Sequence, residues 1–319
     1  MFNMTYNERP EGRFFFYRPL SPELRMDEES ILPDWLEAHG IEDNRFAAAY
    51  AAASDRQRSL CKALIAALWS MSPPRRTGVE MHAVELEQGC NFLSLTKPLR
   101  WAVLCMDASA ASPGLVLAAL LPALTAGVGE ILVVGLGSDS LPAPVLAALE
   151  LAGQERVVEL EGPQARELAG SLSKAGDGLV MCLGLEAIDI FRGSPLPRWS
   201  PRTVLSDAPL RSTCSLGVFI DKKNQYSRQL AEDISFMLPS VEVEWWSPSG
   251  KFGPKEALKR AGGFEFFEQK SFDAVLVPDY LSQQAFRTCP AVLGLGRAGH
   301  WLWPDLIEAR FRLHHAAML

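Results

Sequence analysis

The chain has 319 residues, 48% hydrophobic and 22% charged, with 31 Lys and Arg against 38 Asp and Glu for a formal net charge of −7. That length is enough for two domains with substantial cores, and an acidic balance without a basic cluster argues against a nucleic-acid surface, since phosphate binding needs concentrated Lys and Arg. The six cysteines have no CxxC and no metal-ligand spacing, as expected of free thiols in a reducing cytoplasm, and the polar start MFNMTYNERPEGR lacks the apolar core of a signal segment.

Residues 1–78 form an N-terminal segment that is charged, irregular at its start and then helical. The helical stretches are Pro33 to Ala38 and Asp43 to Trp69, where Phe46, Tyr50, Leu60, Leu64, Ile65 and Leu68 recur at near-helical spacing. Ser72-Pro73-Pro74 ends the segment.

Residues 79–210 read as an α/β domain. Trp101 to Met106 (WAVLCM) is an apolar run bounded by Asp107 and small residues, which fits a strand buried on both faces. Pro113 and Gly114 open a helix, Leu115 to Ala126, which stops at Gly127. A strand over Glu130 to Val134, a helix over Leu141 to Leu151 ended by Gly153, and a strand over Arg156 to Leu160 follow. A helix over Gln164 to Leu172 and a strand over Gly178 to Leu183 complete the alternation, which gives a helix-covered parallel sheet. The stretch 111–134 is apolar enough to raise a membrane span, but Pro113, Gly114, Pro122, Gly127, Gly129 and Glu130 split it into helix and strand. A Pro-rich loop or hinge, Gly193 to Pro209, closes the domain.

Residues 211–319 read as a second α/β domain. It opens with Cys214, a strand over Ser215 to Asp221 and an amphipathic helix over Gln225 to Leu238. Val241 to Trp246 (VEVEWW) alternates as a half-buried strand does. It is read as an edge, either pairing with a second copy in a homodimer or facing solvent blunted by carboxylates. A helix over Gly253 to Ala261 and strands over Ala274 to Val277 and Ala291 to Gly294 follow. Trp301 and Trp303 mark either an interface or closure of the core, and His314 and His315 are read as solvated residues on different faces of a terminal helix.

Pro113-Gly114-Leu115-Val116-Leu117, then Leu121-Pro122-Ala123-Leu124-Thr125-Ala126-Gly127-Val128, resembles the cofactor domain of histidinol dehydrogenases. Pro144-Val145-Leu146-Ala147-Ala148-Leu149-Glu150-Leu151-Ala152-Gly153 and Glu161-Gly162-Pro163-Gln164-Ala165 follow the same family's phrases in the same order. The resemblance covers about a quarter of the chain. It implies an aldehyde dehydrogenase-like fold: a parallel Rossmann-type cofactor domain, a second α/β domain and an N-terminal helical segment, binding NAD or NADP. Where that family has its zinc-binding Gln and His, this chain has Met237 and Ser240. Zinc takes Cys, His or carboxylate donors, so no zinc is expected. The family's catalytic Glu-His pair is also missing and the chain is shorter, so the resemblance implies the fold rather than histidinol oxidation.

In the related aldehyde dehydrogenases the nucleophilic cysteine precedes a strand and helix of this kind, which makes Cys214 the candidate catalytic residue, with Arg211 nearby. A nucleophilic thiol needs a positive environment that stabilises the thiolate; the alternative is a small buried side chain. Two loops are candidates for cofactor binding: Asp107, Ser109, Ser112 and Gly114 lead into a helix N-terminus suited to phosphate, and Gly135, Gly137 and Ser138 give a partial G-x-G turn. Two functions remain open. One is an NAD(P)-dependent oxidoreductase acting on a small molecule, and the other is a catalytically degenerate member serving as a ligand-binding or assembly component.

Overall fold

The computed structural model describes residues 5–9, 12–16, 30–72, 78–85, 91–137, 141–201 and 213–318. The chain starts with two strands, β1 (Thr5–Arg9) and β2 (Gly12–Phe16), paired antiparallel. The expected irregular start is therefore a sheet edge, consistent with the β-forming run Phe14-Phe15-Phe16. A 3-10 turn, Asp34–His39, precedes helices α1 (Asp43–Ala52) and α2 (Asp55–Met71). One helix expected over this region is thus two, because Ser54 caps α2. Its hydroxyl accepts the Gln57 N–H while the Gln57 side chain accepts the Ser54 N–H. The Pro73-Pro74 break lies outside the described residues.

Strands β3 (Glu80–Glu85) and β4 (Asn91–Pro98) continue the antiparallel sheet, and the chain then enters its first parallel sheet. β5 (Trp101–Met106) is buried at every position. Helix α3 (Pro113–Ala126) is apolar all round and buried along nearly its whole length, as a helix between two layers must be. Gly127, at φ 74°, ends it in the left-handed conformation. β6 (Glu130–Leu136), α4 (Ala143–Ala152), β7 (Val157–Leu160), α5 (Gly162–Leu172), β8 (Gly178–Leu183), α6 (Leu185–Phe191) and the short β9 (Arg198–Trp199) follow. The strand order is β7-β6-β5-β8-β9, all parallel.

The second parallel sheet is wound the same way. Its elements are β10 (Ser215–Phe219), α7 (Arg228–Met237), β11 (Glu242–Ser247), β12 (Leu258–Ala261), α8 (Phe264–Phe267), β13 (Ala274–Val277), α9 (Ser282–Ala285) and β14 (Val292–Gly294), with order β12-β11-β10-β13-β14. Two expectations are corrected here. The helix foreseen over 253–261 is a turn followed by β12, which pairs parallel with β11. Gly253, at φ 129° against the Trp245 ring, and Pro254 bend the chain so that it meets the free side of β11. For the same reason β11 is not an edge, because β12 and β10 occupy both its sides.

The last strand, β15 (Arg312–Met318), returns to pair antiparallel with β4, so His314 and His315 lie on a strand and not on a helix. The buried Arg312 pins it there, donating to the carbonyls of Ala126, at the end of α3, and Gly78. One continuous apolar core joins α1 to α4, one face of β5, one face of β10, α7 and Trp301 with Trp303. Those two tryptophans therefore close the core. Among the described residues no helix is long and apolar enough to cross a membrane.

Candidate functional site

In sheets of this winding the connections diverge between the first and fourth strands, and ligands bind at the carboxyl ends there. For the first sheet that point lies between β5 and β8. Asp107 leaves β5 at this point and is almost wholly buried. One carboxylate oxygen accepts the Ser109 N–H at 2.9 Å and the Ser109 hydroxyl, and the other accepts the Glu186 N–H at 2.9 Å. Gly184, at φ 93°, makes room for it. The first turn of α6 therefore already carries an anion, contributed by the protein itself. Ser109 and Glu186 remain exposed beside it.

Ser112 and Gly114 are placed differently. Ser112 is fully buried and does not cap α3. Its hydroxyl lies 2.6 Å from that of Ser240 and accepts the Ser240 N–H at 3.0 Å. A β-carbon on Gly114 would stand 2.7 Å from the Leu238 side chain and 3.1 Å from the carbonyls of Met237 and Gly299. The α3 N-terminus is thus a joint between the two sheets, closed by the end of α7. Met237, at one of the positions matched to zinc ligands, is a core residue with its sulfur 3.7 Å from that of Cys61.

The second loop divides. Gly135 is filled by Leu141, whose Cγ would lie 2.7 Å from a β-carbon there. Gly137 sits at φ 93°, and among the described residues the nearest atom to its missing β-carbon is Glu186 Oε2 at 3.9 Å. Ser138 and Arg211 lie outside the described residues.

Cys214 belongs to the same seam. Its carbonyl accepts the Glu242 N–H at 2.8 Å, two residues after Ser240, and the neighbouring Ser215 N–H and hydroxyl donate to the Asp273 carboxylate at 2.7 and 3.0 Å. Burial pushes the thiol up to about 12, and the negative charge of Asp273 pushes in the same direction. Sequence reasoning did not find Gly184 or Glu186, named Ser240 only as a replaced zinc-ligand position, and did not place Trp301 and Trp303 in the wall of the seam. In that wall Trp303 donates to the Leu115 carbonyl at 3.2 Å and meets Trp199 and Trp301 edge-on at 5.2 and 5.3 Å. Beside it, burial lowers the pKa of His300. A glycine directly after the buried run Gly178 to Leu183 was the one local signal for Gly184; Ser240 carries none.

No protein-family model matches the chain, and no curated protein matches it by sequence. Its structure is similar to histidinol dehydrogenase from Elizabethkingia anophelis, with a TM-score of 0.54 at 12% identity over 88% of this chain and 76% of that one. It is also similar to methylmalonate-semialdehyde dehydrogenase from Oceanimonas doudoroffii (TM-score 0.49, 8% identity, 83% and 78% covered). A third is succinate-semialdehyde dehydrogenase from Burkholderia pseudomallei (TM-score 0.47, 9% identity, 86% and 84% covered). Identities this low concern the fold alone, and the first of them gives this chain the aldehyde dehydrogenase-like α/β fold.

Proposed function

We propose that the protein is oxidoreductase-like, of the histidinol and aldehyde dehydrogenase type, and binds a nicotinamide dinucleotide along the carboxyl edge of its first parallel sheet. The observation that supports this reading is the divergence of β5 and β8 beside Asp107, Gly137 and the exposed Glu186. The residues fit such a group at the Gly137 turn, where no described residue comes closer to the missing β-carbon than Glu186 at 3.9 Å, and not at the α3 N-terminus, which the protein fills. At the Gly137 turn the exposed Glu186 would accept hydrogen bonds from ribose hydroxyls, with a carboxylate disfavouring phosphate beside it, while the buried Asp107 holds the first turn of α6 in place. A bound nicotinamide supplies a hydride acceptor or donor.

A second reading for catalysis, that of a degenerate member acting as a ligand-binding or assembly component, rests on the state of Cys214. A thiol with its pKa pushed up to about 12 is protonated at neutral pH and is a weak nucleophile. Thermal unfolding of the full chain with and without millimolar NAD or NADP tests the binding, because a ligand taken by the folded state alone raises its stability. A clear upward shift is expected, and no shift with either dinucleotide overturns the reading. Aldehyde-dependent reduction of the dinucleotide that disappears in Cys214→Ala would overturn the degenerate reading.

A further inference from the structure

A cavity of about 280 Å³ lies under the edge of the first sheet, between residues 30–41 and the strands β6 and β7, away from the carboxyl edge. We propose that it binds a small organic cation with an apolar body, an aryl- or alkylamine. Its volume is just below the range of ligand pockets, roughly 300–1,000 Å³, which suits a small occupant.

The floor is apolar and buried: Leu32, Leu36, Leu132, Val157 and Val158. The rim is acidic. Asp34, Glu37 and Glu155 are exposed there, and among the described residues none of their carboxylates is held in an ion pair. Among the described residues the one rim cation, Arg156, is neutralised by Glu130 at 2.6 Å. An apolar floor under unpaired carboxylates binds an apolar body that carries a positive charge, and the chain's net charge of −7 draws such a molecule in.

The walls are anchored at both ends. Glu130 accepts the Ser30 hydroxyl at 2.9 Å and the Ile31 N–H at 2.7 Å, which fixes the start of the covering segment. Its end is fixed by the Ile41 N–H, which donates to the Val157 carbonyl at 3.0 Å, and by the bridge between Gly40 and Val158. A segment tied at both ends spans the cavity instead of collapsing into it, so the site is preorganised.

Isothermal titration of the full chain with tryptamine, tryptophol and indole-3-acetate tests this, since the three share a ring and differ in charge. Tryptamine is expected to bind, tryptophol several-fold more weakly, and indole-3-acetate not measurably. Asp34→Asn and Glu37→Gln change exposed residues outside the core and should each weaken tryptamine by about two- to five-fold, as added salt should in the parent protein. Three results would overturn the proposal: no binding of tryptamine, equal binding of all three compounds, or unchanged tryptamine affinity in the double variant with its unfolding temperature preserved.

Discussion

Asp107 and Gly184 are fitted to each other: a β-carbon on Gly184 would stand 2.2 Å from Asp107 Oδ2, and Gly184 itself takes a φ of 93° that side chains rarely adopt. Gly184→Ala therefore strains the backbone and evicts the carboxylate that binds the first turn of α6. We expect a loss of about 1–3 kcal/mol, measured by denaturant unfolding, together with loss of any dinucleotide-induced thermal shift. A variant as stable as the parent would mean that the carboxylate can move aside freely.

Ser240 supports the joint between the sheets through Ser112. Ser240→Ala removes the hydroxyl partner of a fully buried Ser112 and leaves only the backbone N–H on it. The expected cost is about 1 kcal/mol, rising toward 3 if the joint loosens. Greater protease sensitivity near the end of α7 would report the loosening; an unchanged unfolding midpoint would show that the serine pair is dispensable.

For Cys214, the prediction concerns reactivity. With its pKa pushed up to about 12, the native thiol should be alkylated slowly by iodoacetamide at pH 7.5, and the rate should climb with pH without a plateau up to pH 9. Peptide mapping by mass spectrometry reads this site by site, with the unfolded protein as control. Fast labelling at neutral pH would point to a thiolate and return Cys214 to the catalytic role.

Glu159 ties α1 to the first sheet and should make stability depend on pH. The Arg45 guanidinium forks onto it at 2.7 and 2.9 Å and holds its carboxyl below the usual range; burial opposes this, and the Leu141 N–H adds to it. A depressed folded pKa stabilises the fold fully above the unfolded value, about 4.3, and that contribution is lost as pH falls through the folded value. Glu159→Gln should thus be less stable at pH 7, by roughly 1 kcal/mol, and the gap should close below about pH 4. A gap that stays constant with pH would rule out the ion pair as its source.

Much of the first parallel sheet was legible because its signals are local. Trp101 to Met106 is a short apolar run between turn residues, Pro113 stands where a helix can start, and Gly127 and Gly153 stand where helices must reverse into the left-handed region. The same holds for the strands at Gly178 and Ser215. The candidate site was less legible. Asp107 and Gly137 do lie at the carboxyl ends of the first sheet's strands, but Ser112 and Gly114 look identical in sequence to a phosphate turn, and the residues that close it are more than a hundred positions away.

The sequence by itself determined the alternation of strands and helices, the places where helices stop, and the apolar runs that must be buried, because each depends on neighbours within one or two turns. Only the tertiary structure decided that 258–261 is a strand, that β11 lies inside its sheet, that the chain's last strand returns to β4, and that the half-buried Cys214 thiol faces the negative charge of Asp273. Strand pairing satisfies backbone groups across long sequence separations, and a side chain's ionisation follows from what surrounds it after packing. Neither is encoded near the residue it concerns.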